Sequence, residues 1–313
     1  MKNIAIIAPV YNEQEVIEIF YARLSEVLKD IRGIRFTICF IVDKSSDNTE
    51  QILRNLAKSR KELKILLMSS RFGHQQALMA GIEKSLESDA IIMMDGDLQH
   101  PPELIPILIE NFLDGNDVVY TIRKNTKNIK QLRKIFGLLY YKALKILSNN
   151  EIDENTADYR LISKRVGGIL MSQYKERSIF LRGIFPSIGF KQIGVSYDAE
   201  DRAAGNSKYT ISRMLSFAIS GILSTTIKPL HSIIFLGLIF FFISILFLAY
   251  VLIEYFLDRS IPSGWATLAV LLLMFGGMNM LVMGIVGAYV GGIYEEVKFR
   301  PRYIVQEEIN YEK

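Results

Sequence analysis

Cysteine, tryptophan and net charge are all scarce in this chain, and each scarcity narrows the class of protein. The single cysteine, Cys39, provides neither a disulfide framework nor a cysteine metal site, and its apolar neighbours predict a small core residue. The formal net charge is only +4 over 313 residues and is dispersed, so a nucleic-acid partner is not expected. Disulfide-stabilised, cysteine-metal and nucleic-acid-binding proteins are therefore excluded.

Charged residues are absent from two long runs, Ile233 to Ile253 and Trp265 to Ile293. Each run exceeds the roughly 20 residues that an α-helix needs to cross a ~30 Å hydrocarbon layer. The sequence therefore predicts two transmembrane helices within residues 231–294, and a pair of buried core helices is the alternative. Gly287 and Gly291 form a G-x-x-x-G pair in the second run, which predicts close packing against the first helix or against a second subunit in a homo-oligomer.

Lysine and arginine are unequally distributed around these runs. The connecting loop, Glu254 to Gly264, contains only Arg259. The basic residues that flank the two runs on the other side are Lys208, Arg213, Lys228, Lys298, Arg300 and Arg302. The start of the chain also lacks the length and cleavage site of a secretory signal. We therefore expect a multi-pass protein of the inner (plasma) membrane whose termini and N-terminal domain are cytoplasmic.

Short apolar runs alternate with helix-like segments over the first 125 residues. The expected helices begin near Gln14, Thr49, His74 and Glu103. The expected strands are Ile4 to Ala8, Phe36 to Val42, Lys64 to Met68, Ala90 to Met94 and Asp117 to Thr121. This alternation predicts an α/β fold with a mostly parallel, Rossmann-like sheet.

Unusual polar sequences follow four of the predicted strands, and the carboxyl ends of parallel strands meet at one edge of a sheet. Among them, Asp95-Gly96-Asp97 places two carboxylates in a turn where Gly96 permits a tight backbone. Carboxylates of this kind hold Mg²⁺ or Mn²⁺ together with diphosphate oxygens. A solvated turn without metal is the alternative.

Two further segments have the pattern of amphipathic helices. Residues 130–147 collect basic side chains on one half of a helix and apolar side chains on the other, and residues 211–223 repeat apolar residues at i, i+3, i+4 spacing. We expect both to lie on the membrane surface, with packing on the soluble domain as the alternative. The expected organisation is a catalytic domain in 1–205, an interfacial region in 206–230, two membrane helices in 231–294 and a cytoplasmic tail in 295–313.

A resemblance to a known family extends over nearly the whole chain. The motifs that carry it are Pro9-Val10-Tyr11-Asn12-Glu13, Asp43 with Ser46-Asp47-Asn48-Thr49, Ser70-Arg71-Phe72-Gly73-His74-Gln75, Asp95-Gly96-Asp97-Leu98-Gln99-His100-Pro101, Asp158-Tyr159-Arg160-Leu161, Arg202 with Gly205-Asn206-Ser207-Lys208-Tyr209, and Ile293-Tyr294-Glu295-Glu296-Val297-Lys298. They resemble the family 2 glycosyltransferases with the GT-A fold. Within these, they are similar to polyprenyl-phosphate glycosyltransferases such as dolichol-phosphate mannose synthase and the bactoprenol glucosyltransferases.

The resemblance implies roles for individual residues. It implies that the metal, Mg²⁺ or Mn²⁺, is bound by Asp97 and Gln99 with Asp95 close to it, and that Asp158 is the catalytic base. The implied donor-nucleotide pocket is lined by Pro9, Tyr11, Glu13, Asp43, Arg71 and Asp95. The implied contacts to donor or acceptor phosphates come from Arg123, Arg202, Ser207 and Lys208.

Structural roles remain open for several of these residues. Asn12 and Ser46 fit a tight turn, and Asp158 fits a salt bridge to Arg160. Arg71 fits a structural ion pair, and His74 fits a helix N-cap.

The implied reaction transfers a hexose, from UDP-glucose by first expectation, to undecaprenyl or another polyprenyl phosphate for modification of cell-surface polysaccharide. A lipid monophosphate has a second pKa near 6, as phosphorylated side chains do, so it is a nucleophile at neutral pH without a strong base. We therefore expect Asp158 to position groups as much as to accept a proton. In-line attack would invert the anomeric configuration.

This chain departs from the family pattern at several positions. Asp43-Lys44-Ser45-Ser46 has Lys44 where relatives have an acidic residue and Ser45 where they have glycine. Ala199 stands near the place of an arginine, and Ala288 and Gly292 replace two charged residues of the last membrane run. These departures make a catalytically silent membrane scaffold, partnering a flippase or another transferase, the alternative function. A processive polysaccharide synthase is disfavoured, because the only tryptophan, Trp265, is not in a Gln-x-x-Arg-Trp motif.

Overall fold

The computed structural model describes residues 1–124, 156–177, 179–198, 228–256 and 264–311. These residues fall into two compact units. The first unit contains the described residues of 1–198 together with 300–311, and the second contains 228–256 and 264–299. The predicted amphipathic helices at 130–147 and 211–223 lie outside the described residues.

The first unit is built on one eight-stranded sheet in the order β7-β5-β6-β4-β1-β2-β3-β8. Only β6 and β8 run antiparallel to their neighbours, so the sheet is mostly parallel, as predicted. The strands are β1 (Lys2–Val10), β2 (Ile34–Val42), β3 (Leu63–Met68), β4 (Ala90–Met93), β5 (Val118–Arg123), β6 (Thr156–Ser163), β7 (Gln192–Tyr197) and β8 (Val305–Ile309).

Helices cover both faces of this sheet and form two apolar cores. The helices of the first unit are α1 (Ile17–Lys29), α2 (Thr49–Lys58), α3 (His74–Glu83), α4 (Ile105–Leu113), α5 (Lys164–Gln173) and α6 (Leu181–Ile188). Helices α1, α2 and α4 pack on one face, and α3, α5 and α6 pack on the other. Because β1 is covered on both faces, its residues alternate between the two cores: Ile4 and Ile6 face one and Ile7 faces the other.

All five strands and four helices expected in the first 125 residues are present. Helix α1 begins at Ile17 rather than near Gln14, because the backbone amides of Glu13 and Gln14 are hydrogen-bonded to the side chains of Thr49, at the start of α2, and Asp47, in the loop before it. Cys39 is a buried core residue, as predicted, and burial raises the pKa of its thiol to about 12.

The last part of the chain is more than a tail, because Val305–Ile309 adds the edge strand β8 beside β3. Side chains fix this strand: Arg54 forms a bidentate contact with Glu307 at 2.9 and 2.5 Å, and Lys84 pairs with Glu308. Asn310, at φ +62°, points its amide nitrogen at three carbonyl oxygens at distances of 2.8 to 3.1 Å. These carbonyls belong to Ala57, Arg60 and Leu63, so the end of the chain closes the α2–β3 connection.

The second unit consists of two long helices, α7 (Lys228–Phe256) and α8 (Trp265–Val297), which carry the two charge-free runs. The rings of Phe240 and Phe275 meet edge to face at 6.1 Å. Within the described residues, one stretch is long and apolar enough to cross a membrane by length and composition, Met274–Val297 in α8. The two-helix membrane anchor therefore remains a prediction.

Replacing Asn310 by glycine tests the contribution of the C-terminal strand. Glycine keeps the left-handed backbone but loses the amide hydrogen bonds, so the free energy of unfolding should fall by about 1–2 kcal/mol. Urea denaturation of Asn310→Gly beside Gln51→Ala, an exposed change on α2, measures it. Equal stability of the two variants would show that the strand is held without Asn310.

Candidate active site

Two loops at the carboxyl edge of the sheet are joined by a ladder of side-chain to backbone hydrogen bonds. Asn12, at φ +55°, accepts from the Ser46 amide at 2.8 Å and donates to the Ser46 hydroxyl at 3.0 Å. The Glu13 amide donates to Thr49 Oγ1 at 2.8 Å. The hydroxyl of Ser45 accepts from the Asn12 amide and donates to the Asp43 carbonyl. The loops after β1 and β2 therefore form one rigid wall, and the serine that departs from the family pattern is part of it.

The loop after β3 is tied to the same wall by Asp43. This buried carboxylate accepts hydrogen bonds from the backbone amides of Phe72 at 3.0 Å and Gly73 at 2.8 Å. The guanidinium of Arg71 lies over the ring of Tyr11, 4.0 Å from its centroid. Arg71 is thus a cation–π partner of Tyr11.

The Asp95-Gly96-Asp97 turn follows β4 at this edge. A Cβ at Gly96 would lie 2.8 Å from a methyl of Val10, so the glycine is required by close packing. The left-handed residue of the turn is Leu98, at φ +64°. Asp97 accepts from the Gln99 amide at 3.1 Å, which places the side chains of the two expected metal ligands in one small turn.

His100 and Arg123 lie next to the Asp95-Gly96-Asp97 turn. The backbone amide of Asp95 donates to Nδ1 of the fully buried His100 at 2.9 Å. Burial lowers the pKa of His100, which therefore stays neutral. Arg123 donates to the Tyr197 hydroxyl at 2.9 Å and brings Nη2 within 3.2 Å of His100 Nε2. Arg123 thus lies next to the Asp95-Gly96-Asp97 turn, which we call the acidic turn.

Asp158 reaches the same place from β6. The antiparallel register pairs Arg160 with Met93, so Asp158, two residues earlier on β6, lies beside the turn that follows β4. Its carboxylate forms a bidentate ion pair with Arg182 at 2.8 and 2.7 Å. The alternative partner, Arg160, instead donates to the Ala157 carbonyl and stacks on Phe185, 4.2 Å from the ring centroid.

His74 bridges the two acidic groups. Its Nε2 atom lies 3.5 Å from Asp158 and 3.6 Å from Asp95, distances of charge contact rather than of short hydrogen bonds. Burial lowers the pKa of His74, but the two carboxylates outweigh it and raise this pKa to about 9. Burial raises the pKa of Asp158, whereas Arg182 and His74 hold it well below its usual range. The N-cap role considered for His74 is wrong, since Gly73 occupies that position.

The structure brings most of the predicted site residues to one edge of the sheet. Asp95, Asp97 and Gln99 lie in the acidic turn, and Arg123 and Asp158 lie beside it. The residues expected at the nucleotide lie in or beside the three joined loops: Pro9, Tyr11, Glu13, Asp43 and Arg71. The residues expected at the phosphates, Arg202, Ser207 and Lys208, lie outside the described residues.

Several groups of this site were not identified from the sequence. Arg182 lies in an apolar segment without a distinctive spacing, and His100 was noted only as part of a motif. A partial signal existed for β6, because Asp158 and Arg160 alternate with apolar residues in Ala157-Asp158-Tyr159-Arg160-Leu161. Charged residues in a buried strand indicate a functional site only once the residues that they contact are known. Here those residues, Arg182 for Asp158 and Phe185 for Arg160, come from a later part of the chain.

The acidic turn fits a divalent cation that is shared with substrate. Asp95, Asp97 and Gln99 offer the hard oxygen ligands that Mg²⁺ and Mn²⁺ prefer. Within the described ranges, no group of three or more His, Cys, Asp or Glu side chains could hold a metal ion by itself. This donor set matches a metal that takes its remaining ligands from phosphate oxygens and water.

Comparison with known proteins assigns the class. Residues 5–167 match the family described as "Glycosyl transferase family 2". An uncharacterised glycosyltransferase, YkcC of Bacillus subtilis, is 36% identical, and the alignment covers 98% of this chain and 94% of that protein. The bactoprenol glucosyl transferase of Shigella phage SfII is 34% identical, with 97% and 98% covered. The chain therefore belongs to glycosyltransferase family 2, and the predicted enzyme class, a hexosyltransferase of this family, is confirmed.

A solved structure confirms the predicted GT-A fold of the catalytic unit. The glucosyl-3-phosphoglycerate synthase of Mycobacterium tuberculosis, in complex with Mn²⁺, UDP-glucose and phosphoglyceric acid, superposes with a TM-score of 0.50. The sequences are 16% identical, and the match covers 72% of this chain and 79% of that one. At this level of sequence identity, the similarity shows a shared fold.

The raised pKa of His74 predicts a pH-dependent stability of the metal-free protein. The contribution of the His74 ion pairs should be complete below pH 6.5 and should be lost as the pH rises through about 9. In EDTA, wild type should thus exceed His74→Gln in free energy of unfolding below pH 6.5, and this difference should shrink as the pH rises from 6.5 to about 9. A difference that is constant with pH would contradict the ion-pair assignment.

Proposed function

We propose that this enzyme transfers a hexose from a nucleotide sugar, UDP-glucose in the first place, to polyprenyl (undecaprenyl) phosphate at the cytoplasmic face of the membrane. The observation that carries the proposal is the β4–β6 register, which assembles Asp95, Asp97 and Asp158 beside Arg123 at one sheet edge. Relatives named bactoprenol glucosyl transferases match almost the whole length of the chain, which supports a lipid phosphate acceptor and a role in cell-surface glycan modification.

The joined loops and the acidic turn suit the two halves of a nucleotide sugar. The ring of Tyr11, backed by Arg71, offers a flat surface for a base, and Asp43 holds the loop that carries Arg71. The diphosphate is then placed at Asp95 and Asp97. When Mg²⁺ or Mn²⁺ is bound there by Asp97, Gln99 and Asp95, it supplies charge stabilisation for the departing diphosphate. The fold neighbour's complex with Mn²⁺ and UDP-glucose supports this assignment.

The reaction is a single displacement. An oxygen of the lipid phosphate attacks the anomeric carbon, a new carbon–oxygen bond forms, and the bond to the nucleoside diphosphate breaks with its electron pair on the leaving oxygen. The lipid phosphate is mostly a dianion at neutral pH, so the main barrier is the approach of two anions. Cationic side chains lower this barrier, and Arg123, Arg202 and Lys208, with the Ser207 hydroxyl, are proposed for this role.

The membrane anchor follows from the same proposal. Helices α7 and α8 contain the two charge-free runs, and basic residues flank their outer ends. We place both as membrane spans with cytoplasmic termini. The homo-oligomer is proposed from Gly287 and Gly291, where a neighbouring helix can approach closely.

Transfer to lipid tests the proposal directly. Purified protein is incubated with short-chain polyprenyl phosphate, Mn²⁺ or Mg²⁺ and a panel of radiolabelled nucleotide sugars, and label extracted into organic solvent is counted. Asp97→Ala should lose roughly two orders of magnitude of activity, the size found when a charge-stabilising group is removed. Asp114→Ala, an exposed aspartate after α4, is the matched control. Absence of label from every donor, with folded protein, would favour the scaffold.

Removal of the metal provides a separate test. Treatment with EDTA should abolish transfer by wild type, and Mn²⁺ or Mg²⁺ should restore it, because the acidic turn relies on the cation to hold the diphosphate. Full activity in EDTA would contradict the assignment of Asp95, Asp97 and Gln99 as metal ligands.

A further inference from the structure

The ion pair between Asp158 and Arg182 is unevenly exposed. Both carboxylate oxygens of Asp158 are engaged, Oδ1 by Nε of Arg182 at 2.8 Å and Oδ2 by Nη2 at 2.7 Å. The Asp158 side chain is only 9% exposed, whereas the Arg182 side chain is 32% exposed. The carboxylate is therefore the inner member of the pair and the guanidinium is the outer member.

This geometry is unfavourable for a general base. A base must present an oxygen to the proton that it accepts, at hydrogen-bond distance. Here the carboxylate is buried, is held bidentately by one guanidinium, and has Nε2 of His74 3.5 Å from Oδ2. Such a bidentate pair fixes the orientation of the arginine, since the planar guanidinium matches the carboxylate edge.

Residues at the start of α3 fix the same segment from the other side. The side-chain oxygen of Gln75 accepts the amide of Leu181 at 3.2 Å, at the first residue of α6. The side-chain amide of Gln76 donates to the Arg177 carbonyl at 2.6 Å. The three consecutive residues His74, Gln75 and Gln76 thus contact Asp158 and the backbone on the N-terminal side of Arg182. Together they hold the arginine in place from the helix that begins at the sheet edge.

The position of Arg182 is close to the expected reacting groups. His74 Nε2 lies 3.5 Å from the oxygen that binds Arg182 and 3.6 Å from Asp95. The guanidinium is the more solvent-exposed member of the pair, with 32% of the Arg182 side chain exposed. An arginine whose orientation is fixed by a carboxylate is well suited to bind phosphate.

We propose that Arg182 binds a phosphate group of a substrate and that Asp158 is a positioning residue for Arg182 rather than the catalytic base. The inference rests on the proposed glycosyl transfer. The phosphate belongs either to the lipid acceptor or to the donor diphosphate, which share the same chemistry. His74, Gln75 and Gln76 have the supporting role of holding this pair at the sheet edge.

The test separates binding from proton transfer. Arg182→Gln should raise KM for polyprenyl phosphate, or Kd for UDP with Mn²⁺, about 10- to 100-fold, the loss of a charge-assisted hydrogen bond. Asp158→Asn should change the same constant in the same direction and keep the acidic limb of the pH profile. The double variant should have the same KM or Kd as Arg182→Gln alone, because both changes remove the same interaction.

Three further variants separate the proposed role from a purely structural effect. Arg182→Lys keeps the charge but loses the bidentate geometry and should be intermediate, and millimolar guanidinium should partly restore Arg182→Ala. Arg23→Gln is the matched control, since Arg23 forms a bidentate pair of the same lengths, 2.7 and 2.8 Å, with Glu103 on the outer surface. Urea denaturation of every variant reports folding.

The outcomes are distinct. A raised acceptor constant supports the proposal with the lipid phosphate as ligand, and a raised UDP constant supports it with the donor diphosphate. Unchanged constants in Arg182→Gln overturn it, as does an Asp158→Asn variant that loses only kcat and the acidic limb of the pH profile. If wild type transfers no sugar, the proposed function fails, and Kd values for UDP and farnesyl phosphate still decide the role of Arg182.

Discussion

The antiparallel pairing of β6 with β4 is the constraint on which the site depends. Parallel strands alone would bring only the ends of β1 to β4 to this edge, each with its own loop. The reversed β6 inserts Asp158 beside Asp95 from the opposite chain direction. Three carboxylates, two from the turn and one from β6, then share a small volume, and their mutual repulsion requires cations nearby.

The protein supplies those cations from three separate elements. Arg182 comes from α6, Arg123 from β5 and His74 from the start of α3. His100, buried and neutral, uses its ring to hold the Asp95 amide instead of adding charge. Asp97 accepts a hydrogen bond from the backbone amide of Gln99, and Asp95 and Asp158 are both in charge contact with His74.

Sequence reasoning identified the parts of the fold that depend on local pattern. Residues 4–8 of β1 and the whole of β4 (Ala90–Met93) are buried on both faces, so they read as continuous apolar runs, and Asp95 and Asp97 come shortly after β4. The edge strand β8 was missed because Val305–Ile309 contains charged residues whose partners, Arg54 and Lys84, are more than two hundred positions away. Arg182 was missed for the same reason: its importance comes from β6, not from its neighbours.

The departure at Ser45 is explained by the structure, since its hydroxyl joins the loops after β1 and β2. Nothing in the structure explains Lys44. Functional residues of this fold are thus of two kinds. Those in the strand-end loops are visible as motifs, whereas those that position them come from helices and strands that pack onto the edge.

The most direct measurement is the anomeric configuration of the lipid product, determined by NMR from the proton–proton and proton–phosphorus couplings at the anomeric centre. A single displacement by the lipid phosphate at this sheet edge predicts a β-linked sugar from an α-linked donor. An α-linked product would contradict the account, because it would require either two displacements with a covalent intermediate or attack from the face of the departing diphosphate.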